Sequence, residues 1–448
     1  MAACIPATVK QRFPELFQSF ARLPDSRKPQ GRQYGMKEIM TGGLSLFLFK
    51  SGSRNQLNNN RQSGHFEDHY RNLFGMKLPH QDTVSDVLRE LDPAKLNQCR
   101  MDLMSGLFNQ KCLRGYRLLD QYYTVAVDAT GIVSYDSRHC EHCLTKKSKS
   151  GKVTYFHYVL EAKLVTKDGH ALSLASEWIE NNTGEFVKQD CERKAFVRLA
   201  AKLKKQYPRL PVCILADGLY PYENAFKICE DYGWKFIFVL QDKSLKTVRE
   251  ELTLTLRSKP VEEFFTVKNG WRITDEFRYQ AGIQYHEKYT LNWMQCIENR
   301  KKIIASKQKT PLSQTEKEKK EEPSRFEYVT NILPDRENIR ELCAGGRLRW
   351  KVENEGFNTQ KNNGYELEHK YCEKSYAGMQ NYYALLQIAH AISQFIEKGA
   401  LITGILKMRP KETITNLWKN LKGYMIFCIP VMAALCAEIE NLLRPAPS

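Results

Sequence analysis

No run of 18 apolar residues occurs anywhere in the 448-residue chain, so nothing in it reads as a membrane span. The nearest approach, Gly423 to Ala437, is short and contains Pro430, and it reads as a buried C-terminal helix. The opening MAACIPATVKQRFPELF has no apolar signal core, so export is not expected. Disulfide-framework spacing is missing as well. Thirteen cysteines, an odd number without such spacing, predict reduced thiols in a cytoplasmic protein. There is no tandem repeat. Acidic residues are in deficit: 51 Asp and Glu against 68 Lys and Arg leave a net charge of +17, the footprint of a chain that meets polyanions. At 42% hydrophobic the chain is too rich in core formers to be disordered, and its length predicts more than one domain or one elaborated core.

The pattern along the chain alternates. Residues 1–118 read as helical: Met40 to Lys50 is apolar apart from Gly42, Gly43 and Ser45, and Val84, Val87, Leu88 and Leu91 follow helical spacing behind Thr83, a predicted N-cap. Such helices suit a DNA-end-binding module as well as a plain helical cap. Between 119 and 240 the reading is α/β. YYTVAVDATG is a strand that should stop at Asp128 and turn at the glycine. TYFHYVLEAKLVT and HALSLASEW are further strands, followed by a helix over 186–205. Val212 to Ala216 is a continuously apolar strand ending at Asp217-Gly218, then come a helical stripe (Ala225, Ile228, Cys229, Tyr232) and the strand KFIFVL. Strand, helix, strand predicts a parallel sheet, with chemistry at the carboxyl ends of its strands. Residues 241–333 read as β-rich, with an Asn269-Gly270 hairpin and a polar, mobile loop over 307–324. From 334 to 448 helices return, among them an amphipathic one through Leu385, Ile388, Ala389 and Ile392.

Three carboxylates stand out: Asp128 and Asp217 where apolar strands stop, and Glu353 on a predicted helix four residues after Arg349. Each alone has an ordinary explanation, as a turn residue or a solvated helix pair. Converging carboxylates repel unless something neutralises them. Hard divalent cations do so, and Mg²⁺ combines one or two carboxylates with phosphate oxygens; two such ions serve phosphodiester displacement.

VAVDATG, CILADGLYPYENAFK and RLRWKVENEGFNTQK together resemble the three signature regions of DDE transposases of bacterial insertion sequences. The nearest subgroup is the IS-four type, which carries a β-rich insertion between its second Asp and its Glu. LPDSRKPQGRQYGMKEIM and PHQDTVSDVLREL resemble N-terminal segments common there. The resemblance implies a ribonuclease-H-like catalytic core in which Asp128, Asp217 and Glu353 bind two Mg²⁺, with Mn²⁺ as a substitute. It implies double-stranded DNA as partner, both transposon ends and target, and cleavage followed by 3′-OH strand transfer. It also implies a homodimer on DNA in the bacterial cytoplasm, with no membrane partner. A Tyr-Arg-Glu-Lys signature surrounds the Glu in that subgroup. Arg349 matches its Arg, and Lys361 is the candidate for its phosphate-holding Lys, but Gly346 stands where the Tyr would be. Lys361 is eight residues from Glu353 where seven is usual; on an α-helix that turns it roughly 80° away instead of 20°. Glu355 is the rival third carboxylate.

Two further features carry alternatives. Trp293 invites comparison with base-stacking aromatics, but a strand tryptophan packed on its sheet is the preferred reading. Cys140 and Cys143 form a lone CxxC near His139, His142 and His157. That is half a zinc site, with Cys191 as a third ligand only if the fold brings it close, and we take the pair as loop thiols in preference to zinc.

Overall fold

The computed structural model describes residues 1–180, 191–255, 261–268, 271–302 and 322–427. The chain divides into two compact units, Met1–Gln110 with Asn358–Ser448, and Lys111–Phe357. Helices and one large mixed sheet make it a mixed α/β protein.

Seven helices open the first unit: α1 (Cys4–Arg12), α2 (Leu16–Ala21), α3 (Met36–Leu48), α4 (Arg54–Arg61), α5 (His65–Phe74), α6 (Gln81–Glu90) and α7 (Pro93–Asn109). The start of α3 is fixed by Glu38, whose Oε2 accepts from the Gly35 N–H at 2.9 Å. Gly42 and Gly43 are packing residues. A Cβ on them would lie 2.9 Å from Pro79 and 2.7 Å from Leu385. The cap of α6 is His80 and not Thr83: the His80 Nδ1 accepts from the Asp82 N–H at 3.3 Å, so the helix starts before Thr83. In α7 Asp92 caps and Pro93 takes the first helical position, where no N–H is needed.

The second unit holds a single sheet of the ten described strands. In chain order they and their helices are β1 (Tyr123–Tyr135), β2 (Leu144–Lys147), β3 (Val153–Val165), β4 (Ala171–Ile179), α8 (Glu192–Gln206), β5 (Val212–Ala216), α9 (Glu223–Asp231), β6 (Lys235–Val239), α10 (Lys246–Thr255), β7 (Glu262–Lys268), β8 (Trp271–Tyr285), β9 (Tyr289–Lys302), β10 (Ser324–Thr330) and α11 (Ile339–Arg347). The strand order is β2-β3-β1-β5-β6-β10-β9-β8-β7, with β4 also on β3. β1 is antiparallel to β3, while β5 and β6 run parallel to β1, joined through α9 as the apolar runs predict. All five residues of β5 are buried. The helix α10 falls inside the segment read as β-rich. Its signal is Val248 and Leu252, buried at a spacing of four residues.

Several expectations touch undescribed positions. β7 and β8 pair antiparallel up to Lys268↔Trp271, but Asn269 and Gly270 themselves lie outside the described residues. So do most of the 307–324 loop, the first part of the 186–205 helix and most of Gly423–Ala437.

A π-helical segment (Val352–Asn358) leads into α12 (Thr359–Asn362), α13 (Tyr376–Glu397), α14 (Ala400–Met408) and α15 (Ile414–Ile426). α13 packs against α1, α3, α6 and α7. It is buried on nearly every face, not amphipathic as its apolar stripe suggested. Some of its buried polar side chains find internal partners. Gln360 Nε2 donates to Gln387 Oε1 at 2.9 Å, and Asn381 Nδ2 donates to the Leu88 and Leu91 carbonyls at the end of α6. No helix among the described residues is long and apolar enough to cross a membrane.

Candidate active site

Strand register sets two acidic residues side by side. β1 and β5 pair in parallel from Tyr123↔Val212 to Ala126↔Leu215. Two residues beyond that last pair come Asp128 and Asp217, on neighbouring strands that are about 4.8 Å apart. β1 does not stop at Asp128, contrary to the sequence expectation. It continues to Tyr135 because β3 keeps pairing with it, Asp128 opposite Glu161, and Gly131 falls at a register shift instead of a turn. On β5 the strand does end, and Asp217 Oδ1 accepts from the Leu219 N–H at 2.9 Å, an Asx-type turn.

The electrostatics show what else is near. Burial pushes the Asp128 carboxyl up to about 6; the Ala129 N–H and Arg349 oppose this, while Asp217 and Glu353 add to it. Glu192, in the first turn of α8, is pushed up to about 7 by burial and then by Asp128 and Asp217. Four carboxylates therefore share one electrostatic neighbourhood. Glu192 was not singled out from the sequence, because an acidic residue in a helix's first turn is the ordinary preference there. The buried Arg349 supplies positive charge, with Nη1 3.4 Å from Asp128 Oδ2 and its guanidinium over the Trp350 ring at 4.8 Å. Tyr220 is 1% exposed, and its ionisation is pushed far up by burial and by Glu192, Asp217 and Asp128.

Glu353 and Glu355 are separated by their partners. Glu353 acts on Asp128, whereas Glu355 is ion-paired with Lys351. Both sit in the π-helical segment, a form that recurs at functional sites. The segment rests on β3: a Cβ on Gly356 would lie 3.2 Å from Lys163 Cδ, and Lys163 Nζ is 5.4 Å from the Phe357 ring centre. Lys163 and Glu161 are both fully buried, paired at 3.4 Å, and Ser173 donates to Glu161 at 2.5 Å. Gly346 has no room for a side chain, since a Cβ there would lie 2.7 Å from the ring of Tyr328. Lys361 belongs to the other unit, where its Nζ is 2.7 Å from Glu368.

Trp293 is fully buried on β9, as the packing reading expects. Around the CxxC, Cys140 Sγ and Cys143 Sγ are 3.7 Å apart, and each is 3.5 Å from His157 Nε2. Cys191 is exposed and not part of that group.

Among the described residues, the cysteine–histidine trio is the one group of three whose ligand atoms all lie within 4.8 Å of one another; the carboxylates are spread more widely. Their chemistry nevertheless fits a hard divalent cation. Oxygen donors raised by burial and then by one another's charge, with one arginine in compensation, gain from any added positive charge.

Residues 17–104 match the family model described as DDE_Tnp_1-associated. The match covers about a fifth of the chain, all within the first unit, and points to the DDE transposase family. No curated protein matches the chain.

Proposed function

We propose that this chain is a DDE transposase, cutting DNA at transposon ends with divalent metal and joining the freed 3′-OH to target DNA. The observation that carries the reading is the register of β1 and β5, which sets Asp128 beside Asp217 with Glu353 in electrostatic reach. The transposase-associated segment 17–104 and the charge of +17 support it. The part of the sheet that bears the two Asp reads as a ribonuclease-H-like core. The strands β7 to β10, between Asp217 and Glu353, read as the insertion of the IS-four type.

In this reading Asp128, Asp217 and Glu353 hold two Mg²⁺ or Mn²⁺ ions, which when bound activate the attacking oxygen and stabilise the leaving one. Glu192 extends the acidic group. Arg349 neutralises Asp128 in the free protein and would meet a phosphate once metal takes over that task. Lys361 is a second phosphate contact. The partners are transposon-end and target duplexes, held by a homodimer formed on DNA in the bacterial cytoplasm.

A second reading, a transposase-derived DNA-binding protein that no longer cuts, has one structural observation in its favour: Gly346 replaces the signature tyrosine and leaves no room for it. The test is cleavage and strand transfer on DNA carrying the element's own ends. Wild-type protein should nick the ends with Mg²⁺ or Mn²⁺ and join them to a target plasmid, and Asp217→Asn should bind the ends without cutting. Nicking by Asp217→Asn at the wild-type rate overturns the reading. Binding without cutting by the wild type establishes the second reading, and cutting without joining marks a nuclease of the same core.

A further inference from the structure

One cluster outside the carboxylate site has metal geometry of its own. In a tetrahedral zinc site with Zn–S of about 2.3 Å and Zn–N of about 2.0–2.1 Å, sulfurs stand about 3.8 Å apart and sulfur to nitrogen about 3.6 Å. Cys140, Cys143 and His157 show 3.7, 3.5 and 3.5 Å. The three come from two elements: the cysteines from the loop between β1 and β2, the histidine from β3. Cys143 and His157 are buried and Cys140 is half-buried, so the group is enclosed as structural zinc sites are.

Two neighbouring histidines compete for the fourth position. His142 is turned onto acidic groups, with Nδ1 3.2 Å from Glu180 and Nε2 3.6 Å from Glu141. His139 directly precedes Cys140 and stacks on Tyr135 at 4.2 Å, the same ring that His157 meets edge-on at 6.2 Å. His139 and His157 thus flank one tyrosine.

We propose that Cys140, Cys143 and His157 bind one structural Zn²⁺, with His139 as the fourth ligand. Binding converts two thiols to thiolates and releases two protons, with no change of oxidation state. The ion ties the 136–143 loop to the β2–β3 hairpin, whose strand and turn carry Lys146, Lys147, Lys149 and Lys152. In its absence that loop is held to the hairpin turn by contacts such as Lys152 to Asp136 at 2.8 Å, an exposed pair of little strength. The site is independent of the proposed DNA chemistry.

The experiment is metal analysis of the full-length protein purified without chelator, with cobalt substitution as a second readout. One zinc per chain is expected, retained in an Asp128→Asn/Asp217→Asn double variant and lost in Cys143→Ser and His157→Ala. Cobalt-loaded wild type should show thiolate-to-metal charge transfer and the intense visible bands of a tetrahedral site. These readings on wild type keep the test valid if a ligand variant fails to fold. His139→Ala should weaken binding by at least the 10–100-fold seen when only a supporting residue is removed, about that range. Unchanged affinity in His139→Ala overturns the fourth ligand. Absence of zinc, with Cys140 and Cys143 both titrating as free thiols in the folded protein, overturns the site.

Discussion

Arg349 Nη1 stands 3.4 Å from Asp128 Oδ2, placing a buried cation against a carboxyl that burial and two acidic neighbours push up to about 6 even with the arginine beside it. Replacing Arg349 with Gln leaves Asp128 without that charge. Removing one partner of a buried pair costs up to about 3–5 kcal/mol; with Asp128 a quarter exposed, the loss here should fall toward or below the lower end. Thermal unfolding of Arg349→Gln should therefore show a lowered melting temperature, with Mg²⁺ recovering more of the loss than it adds to wild type. An equal Mg²⁺ increment in both proteins would show that Arg349 and the metal do not share a task.

The same burial, with the acidic neighbours, sets a pH dependence. A carboxyl whose folded pKa is raised from 3.8 to about 6 is penalised as an anion. That penalty is fully present above pH 6, shrinks as pH falls, and is gone below 3.8. Glu192, raised to about 7, behaves alike from a higher starting point. A metal bound to the ionised forms would relieve the penalty, and protons would compete with it. The rise in melting temperature given by Mg²⁺ or Mn²⁺ without DNA should be larger near pH 8 than near pH 5, about one unit outside each value. A metal effect that is flat across this range would place the binding elsewhere.

Much of this was readable in the sequence because apolar runs end where charge begins. Val212 to Ala216 followed by Asp217 is a buried parallel strand with an acidic end in both readings. Asp128 was singled out for a partly mistaken reason. The glycine after it suggested a turn, but the strand is carried on to Tyr135 by β3, a partner whose register no local pattern reveals. Glu192 and the Lys163–Gly356 contact depend on tertiary approach and leave no mark in spacing. His157 lies fourteen residues beyond Cys143, and only the hairpin of β2 and β3 brings them together.

Gly346 makes a separate prediction about the missing signature tyrosine. Its Cβ position lies 2.7 Å from Tyr328 Cε1 and 3.1 Å from Ile237 Cγ2, both buried. Gly346→Ala should cost about 1–3 kcal/mol by overpacking, and Gly346→Tyr more. Denaturant unfolding would measure both. A neutral or stabilised Gly346→Tyr would mean that the position opens outward and that the signature residue could be restored.

Glu353 and Glu355 are two residues apart in one π-helical segment, and the structure gives them different company. Glu355 is ion-paired with Lys351, so Glu355→Gln removes a charge already neutralised; cleavage should stay within about threefold of wild type, the scale of a partly exposed pair. Glu353 adds its charge to the Asp128 neighbourhood, so Glu353→Gln should abolish metal-dependent cleavage while end binding persists. It should also lower the Asp128 pKa, because one repelling carboxylate is gone. Carbon-detected NMR of labelled Asp side chains reads that shift independently of any DNA substrate. If Glu355→Gln instead abolishes cleavage and leaves Asp128 unmoved, Lys351 guards the third ligand and the order of the two residues is reversed.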